Sequence, residues 1–148
     1  MTDDPLYRHE ILRLAADATG AGHLPAPTAL GSANNPACGD WVKVELALDG
    51  DRITAFAHTE QACVLTQASA ALLAGLAAGQ DREGMAALAE AVRGFLKGGT
   101  APGGYGVFDG VIGHAGRHRC VLLPLEAALK ALEQSEEAPM AAEGQHRA

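Results

Sequence analysis

The stretch that decides the fold is Trp41-Val-Lys-Val-Glu-Leu-Ala-Leu48, followed by Asp49-Gly50 and then by Ile53, Ala55 and Ala57. Side chains alternate with period two on both sides of the Asp-Gly pair, and this dipeptide is typical of a tight hairpin turn. The pattern predicts an antiparallel hairpin in the middle of the first half of the chain.

Four helices are predicted around the hairpin, over Leu6 to about Asp17, Cys63 to about Ala78, Arg82 to Lys97 and Cys120 to Glu133. In the first and last of these, apolar residues recur at spacings of three and four, which is the period of an amphipathic helix. The second is rich in Ala and Leu and has no glycine before Gly75, which favours a helix that ends near Gly79.

Two other segments are rich in glycine and contain proline, and their apolar residues show no helix or strand periodicity. Residues 19–37 predict an irregular connection, and residues 98–116, with eight glycines and one proline, predict a loop or a short irregular strand. Strands early and helices late predict an α+β domain, a small antiparallel sheet with helices packed on one face. We expect the domain over residues 1–133 and a disordered tail over 134–148, which is rich in Ala, Glu, Pro and Gly.

Composition narrows the class of protein. The formal charge of −7 and the pI near 5.2 argue against nucleic acid as a partner, since phosphates favour clustered Lys and Arg. No run approaches the roughly 20 apolar residues that span a membrane. Acidic residues stand where a secretory signal needs positive charge, so a cytoplasmic protein is expected. In a reducing compartment, an odd set of three cysteines indicates metal ligands, reactive thiols or core residues.

Each cysteine falls at the boundary of a predicted element: Cys38 precedes the first strand, and Cys63 and Cys120 begin helices. The partial positive charge of a helix N-terminus favours the thiolate, which is the form that binds metals and attacks sulfur. Asp40 follows Cys38 by two residues, and Gly39 lets the backbone turn between them. Three thiolates and a carboxylate suit tetrahedral zinc or an incomplete iron–sulfur cradle, although spacing alone leaves open that the cysteines are apolar core residues.

Three segments resemble a known family. Asn35-Pro-Ala-Cys-Gly-Asp40 resembles the N-P-x-C-G-D motif of the iron–sulfur cluster assembly scaffold family, which includes the NifU N-terminal domain, IscU and SufU. Residues 62–70 resemble its second cysteine segment and residues 117–127 its third, in which a basic residue and a cysteine lead an amphipathic helix. Leu6-Tyr7-Arg8 also resembles the start of SufU-type members, so the resemblance covers roughly residues 6–133.

The resemblance implies a site and a set of partners. The family's metal ligands correspond to Cys38, Asp40, Cys63 and Cys120 in this sequence. The cargo would be a transient [2Fe–2S] cluster or Zn²⁺, and Asp40 would tune how firmly it is held. The implied partners are a cysteine desulfurase and apo iron–sulfur recipient proteins, with no nucleic acid and no membrane.

The sequence also departs from the family pattern. IscU-type members carry His directly before the third cysteine, whereas this chain has Arg119 there, and the nearest histidine is His118. The chaperone-recognition segment L-P-P-V-K is absent, and a long glycine-rich insertion precedes Cys120. These features place the chain nearer the SufU type. Ala62, where the family usually has Gly, indicates a divergent branch.

Three functions follow as hypotheses. The first is a scaffold on which an iron–sulfur cluster forms before transfer. The second is a zinc-dependent sulfurtransferase that accepts persulfide sulfur from a cysteine desulfurase. Cys120 is then the predicted persulfide carrier, because it stands at a helix N-terminus beside Arg119. The third is an α+β binding module with buried cysteines. The same four side chains can hold either cargo, so the sequence leaves the first two open.

Other polar and aromatic residues are assigned no role in the site. Trp41 is predicted to lie in the core, and His118 ranks below Asp40 as a ligand. A histidine alone in a polar or loop context is more often solvated than a ligand. Five histidines are therefore expected to be solvated: His9, His23, His58, His114 and His146.

Overall fold

The structure is a computed structural model that describes residues 8–37 and 39–141. It contains four α-helices and three β-strands within these residues. In chain order they are α1 (His9–Asp17), β1 (Ala29–Asn35), β2 (Asp40–Asp49), β3 (Arg52–Gln61), α2 (Val64–Leu76), α3 (Arg82–Leu96) and α4 (His118–Ala141). Two 3₁₀ helices, Tyr105–Val111 and Ala115–Arg117, lie between α3 and α4.

The three strands form one antiparallel sheet in the order β1-β2-β3. The predicted hairpin is confirmed as β2 and β3, with Asp49 paired to Arg52 across a tight turn. Gly50 in this turn has a φ of 64°, a conformation that side chains disfavour and glycine accepts. The register shifts between Ala47 and Leu48, which is a β-bulge near the turn.

The helices pack on one face of the sheet, which confirms the predicted α+β class. Helix α4 lies across β1 and β2 and also contacts α2 and α3, while α1 packs against α2. On the covered face, Val42, Val44 and Leu46 of β2 are completely buried. Burial of such apolar side chains is the main stabilising contribution in a domain of this kind.

The first strand corrects the sequence analysis, because β1 lies inside the segment predicted to be irregular. Its burial does alternate, with Ala29, Gly31 and Ala33 buried between exposed neighbours. These residues are too small to produce an apolar period. Their size has a packing reason: a Cβ on Gly31 would collide with backbone atoms of Ala127 and Ala131 in α4. The small residues of β1 are therefore explained by its close packing against α4, which comes much later in the sequence.

The helix bounds agree with the sequence for α2 and α3, but α4 is longer than predicted. It begins at His118 and runs on to Ala141, past Glu133, where the folded domain is predicted to end. Gln134, Glu136, Glu137 and Ala138 are good helix formers, which favours continuation of the helix past Glu133. Residues 142–148 of the predicted tail lie outside the described residues, as do Leu6 and Tyr7.

The glycine-rich segment 98–116 is folded, although it forms no α-helix. Its 3₁₀ helix Tyr105–Val111 buries Tyr105 and Phe108 completely, with ring centroids 6.0 Å apart. Two aromatic side chains thus anchor a segment that its glycines would otherwise leave free.

His58 was expected to be solvated, and that expectation is wrong. It lies on β3 with 1% exposure; its Nδ1 is 2.6 Å from Oε1 of Glu60, and its Nε2 is 2.8 Å from the carbonyl oxygen of Thr19. Burial disfavours the charged ring, but the Glu60 carboxylate and the Thr19 carbonyl outweigh it, so the pKa of His58 is raised above 6.5. His58 therefore fastens the segment that follows α1 to the sheet.

Trp41 was predicted to lie in the core, which is also wrong. Its side chain is 40% exposed, on the face of β2 away from α4. Leu30 of β1 is similarly exposed, at 43%. Within the residues that the structure describes, no helix is both long and apolar enough to cross a membrane.

Candidate metal centre

Three of the four predicted ligands meet where three elements begin. Asp40 is the first residue of β2, Cys63 is the N-cap of α2, and Cys120 lies in the first turn of α4. One carboxylate oxygen and the two sulfurs lie within 4.8 Å of one another. Asp40 and Cys63 are half-buried and Cys120 is buried, so the group lies at the boundary between core and solvent.

Cys38, the fourth predicted ligand, lies outside the described residues, and its role stays a prediction. The residues around it define the connection between β1 and β2. Asn35 pairs with Asp40 across the strands, and its Oδ1 accepts a hydrogen bond from the backbone N–H of Ala37 at 3.2 Å. Gly39 has a φ of 77°, which meets the expectation that this glycine lets the backbone turn.

A hydrogen bond joins Asp40 to Cys63. The backbone N–H of Cys63 donates to Oδ2 of Asp40 at 3.2 Å. The N–H groups at the start of a helix have no partner inside the helix, so the carboxylate supplies one from outside. A carboxylate has lone pairs left for a metal after accepting one such bond. This contact holds the start of β2 beside the start of α2.

The Cys63 thiol ionises more readily than an ordinary thiol. The pKa of Cys63 is lowered from 9.0 to about 6, and the largest cause is a hydrogen bond with the Cys120 side chain. Burial opposes this change, while the backbone N–H groups of Thr66 and Leu65 at the start of α2 add to it. At neutral pH, Cys63 is therefore a thiolate, the form that binds a metal or attacks sulfur.

Two buried hydroxyl groups of α2 reach the backbone of α4 behind the cysteines. Oγ1 of Thr66 donates to the carbonyl oxygen of Cys120 at 3.0 Å, and Oγ of Ser69 donates to that of Val121 at 2.6 Å. Oγ1 of Thr66 also lies 3.6 Å from the sulfur of Cys63. Neither hydroxyl was predicted to have a role, although two hydroxyl residues three apart on an apolar helix are a signal in the sequence.

The family follows from a comparison with known domains. Residues 6–98 match the family model described as the NifU-like N terminal domain. This match covers more than half of the chain and includes the first two cysteine segments. The chain belongs to the NifU-like N-terminal domain family. This is the iron–sulfur cluster assembly scaffold family that the three sequence segments resemble, so that prediction is confirmed.

Solved structures agree with this assignment. The NifU-like N-terminal protein from Brucella abortus is 31% identical, with a TM-score of 0.84, over 93% of this chain and 99% of that one. A putative iron–sulfur cluster assembly scaffold protein for the SUF system from Fervidobacterium islandicum shares the fold, with a TM-score of 0.76. It is 21% identical, over 88% of this chain and 98% of that one. No curated protein matches this chain.

Within this NifU-like domain, the residues directly before Cys120 bond away from the site. Arg119 donates to both carboxylate oxygens of Glu126, at 2.9 and 3.2 Å, and to the carbonyl oxygen of Asn34 at 3.1 Å. Its charge is therefore offset by Glu126. Nε2 of His118 lies 3.0 Å from the carbonyl oxygen of Ile112, in keeping with the low rank given to this histidine as a ligand.

The donors of the NifU-like domain fit the cargo that the sequence predicts. Cys63 and Cys120 offer sulfur and Asp40 offers oxygen, and both kinds of atom bind zinc in tetrahedral sites. Thiolates are also the usual ligands of iron–sulfur clusters. A set of buried core cysteines has no need of a converging carboxylate, so this geometry favours a binding site over the core-residue alternative.

Proposed function

We propose that this NifU-like domain is an assembly scaffold that binds its cargo through Cys38, Asp40, Cys63 and Cys120 and passes it to apo iron–sulfur recipient proteins. The observation that carries the proposal is the convergence of Asp40, Cys63 and Cys120 at the starts of three elements. The cargo is iron and sulfide as a transient [2Fe–2S] cluster, or Zn²⁺. A cysteine desulfurase supplies the sulfur, in the cytoplasm.

Two features of the site suit a carrier better than a permanent cofactor site. Asp40 and Cys63 are only half-buried, so cargo can enter and leave at the surface. A carboxylate oxygen is also a harder ligand than a thiolate, and soft metal sites prefer sulfur. One oxygen among sulfurs therefore provides a ligand that is readily exchanged.

Anaerobic reconstitution tests the scaffold. The full chain is incubated with ferric iron and sulfide, its visible absorption is recorded, and an apo-ferredoxin is then added. We expect a cluster spectrum that moves to the ferredoxin, and loss of the spectrum in Cys63→Ser and Cys120→Ser. The Ser69→Ala variant is a matched control because the Ser69 hydroxyl donates to the backbone carbonyl of Val121, which is not a ligand. Absence of a cluster from the wild type would overturn the scaffold.

The lowered pKa of Cys63 favours a second candidate, a zinc-dependent sulfurtransferase. A thiolate of this domain attacks the terminal sulfur of the desulfurase persulfide. A new sulfur–sulfur bond forms on the domain, the sulfur–sulfur bond of the donor breaks, and the donor cysteine leaves as a thiolate, without net oxidation. Zinc bound by the remaining ligands would keep the site ordered.

The carrier of the persulfide is Cys120 or Cys63. Cys120 is the residue that the sequence predicts, but it is buried and Arg119 bonds to Glu126, whereas Cys63 is half-buried and its pKa is lowered to about 6. The test combines the domain with a cysteine desulfurase and cysteine, and locates persulfide by mass spectrometry. Faster desulfurase turnover with zinc-loaded protein and persulfide on either cysteine supports the second candidate. Unchanged turnover with no persulfide would exclude it.

A further inference from the structure

Thr66 contacts both sulfur ligands of the site from behind. It is completely buried in α2, one turn after Cys63. Its hydroxyl lies 3.0 Å from the carbonyl oxygen of Cys120 and 3.6 Å from the sulfur of Cys63. The hydroxyl donates to the carbonyl oxygen of Cys120, and the same oxygen atom lies beside the sulfur of Cys63.

The carbonyl of Cys120 cannot receive the usual hydrogen bond of an α-helix. In an α-helix this carbonyl accepts a hydrogen bond from the N–H four residues later, and that residue is Pro124. Proline has no N–H, and its ring also crowds the carbonyl four residues earlier. The hydroxyl of Thr66 supplies the missing donor. Val121 differs, because Leu125 can supply its N–H within α4 and the bond from Ser69 is additional.

We infer that Thr66 is a positioning residue that sets the distance between the sulfur ligands Cys63 and Cys120. The expected effect on metal binding rests on the proposed function. The claim that Thr66 sets the distance between the two sulfurs does not. Pro124 offers no N–H to the carbonyl of Cys120, and Thr66 ties that carbonyl to the first turn of α2. The starts of α2 and α4 are thereby held close together, with the sulfurs of Cys63 and Cys120 within 4.8 Å of each other.

The substitution Thr66→Val removes the hydroxyl and keeps the shape of the side chain. We expect it to lower zinc affinity about 10-fold or more, measured by competition with a chromophoric chelator, as for other residues that orient metal ligands. Thr66→Ser retains the hydroxyl and should retain the affinity. Ser69→Ala is the matched control, since it removes a similar bond to α4 that touches no ligand, and it should leave the affinity within about 3-fold of the wild type.

A second measurement needs no metal. In a Cys38→Ser background, Cys63 and Cys120 form a disulfide by giving two electrons and two protons to oxidised glutathione, which becomes two reduced glutathiones. The equilibrium yields the effective concentration of one thiol at the other. We expect Thr66→Val to lower it by about 5-fold or more, with Thr66→Ser and Ser69→Ala close to the background protein.

The double variant Thr66→Val with Pro124→Ala separates two effects of Thr66. One is to hold the two sulfurs close together, and the other is to give the Cys120 carbonyl a hydrogen-bond donor. Alanine restores an N–H to the helix, so the Cys120 carbonyl has a donor again and the protein folds even where Thr66→Val alone does not. If Thr66 positions the sulfurs, the effective concentration stays low in the double variant. A return to the value of the background protein would overturn the inference, as would equal effects of Thr66→Val and Ser69→Ala. If the wild type binds no metal, the proposed function fails, and the glutathione equilibrium still decides the inference.

Discussion

The backbone N–H of Cys63 donates a hydrogen bond to the carboxylate of Asp40 at 3.2 Å, and this bond joins the first residue of β2 to the N-cap of α2. Asp40 therefore has a structural partner in addition to its proposed role as a ligand. These two roles can be separated by substitution, because an amide oxygen can accept the same hydrogen bond without carrying a charge.

Asp40→Asn tests the role of the charge. Its side-chain oxygen can still accept from the N–H of Cys63, so the free energy of unfolding of the metal-free protein should change little. Zinc affinity should fall by about 10-fold or more, since a neutral amide is a poorer zinc ligand than a carboxylate. Chelator competition and urea unfolding measure the two quantities. An unchanged affinity in Asp40→Asn would show that Asp40 serves only the hydrogen bond.

The ionisation of Cys63 predicts a pH profile. In the metal-free protein, alkylation of Cys63 by iodoacetamide should reach half its maximal rate near pH 6, which is about the pKa given by the Cys120 hydrogen bond and the start of α2. Cys120→Ala removes the largest cause and should move the midpoint towards 9.0, the ordinary value. Alkylation is followed on the peptide that contains Cys63. The same midpoint in the wild type and in Cys120→Ala would contradict the assignment of the cause.

The contact between buried His58 and half-buried Glu60 predicts a dependence of stability on pH. The pKa of His58 is raised in the folded state, so the folded protein binds its proton more tightly than the unfolded chain does. The resulting stabilisation is complete below about pH 6.5 and is lost as the pH rises through the folded pKa. In Glu60→Gln, burial outweighs the remaining Thr19 hydrogen bond, so the pKa of His58 should fall below its unfolded value and the dependence should reverse, with stability rising as the pH rises. Urea unfolding on both sides of neutrality measures it; parallel pH curves for wild type and variant would contradict the linkage.

Gly31→Ala tests the packing of β1 against α4. A Cβ at this position meets the backbone of Ala127 and Ala131, which cannot move as a side-chain end can. We expect a loss of about 1–3 kcal/mol in the free energy of unfolding, as for other overpacked cores. Gly94→Ala in α3 is the control, because open space surrounds it. Its free energy of unfolding should rise by about 0.5–1 kcal/mol because alanine has the better helix propensity. Equal changes in the two variants would contradict the packing account.

The elements that could be predicted from the sequence are those with a strong local pattern. The β2–β3 hairpin has alternating side chains around Asp49-Gly50, and α2 and α3 are rich in Ala and Leu. β1 has no such pattern, because its buried residues are small to admit α4. His58 was misplaced for a similar reason: its partners Thr19 and Glu60 come together only in the folded chain.

The same distinction applies to the candidate site. Cys63 and Cys120 could be placed at helix starts from local sequence, and Asp40 from its place beside Cys38 and Gly39. The role of Thr66 could not be predicted, because it depends on a carbonyl in α4 that lacks its usual donor. A pattern within one helix does not show a hydrogen bond between two helices.

The metal content of the freshly purified full chain tests the central claim most directly. We predict roughly one zinc ion, or iron with sulfide, per wild-type chain, and loss of this metal in Cys38→Ser, Cys63→Ser and Cys120→Ser. Ser69→Ala should keep the wild-type content, because its hydroxyl bonds to backbone away from the ligand atoms. A wild-type protein without stoichiometric metal, even after anaerobic purification, would contradict the account and leave a binding module with buried cysteines.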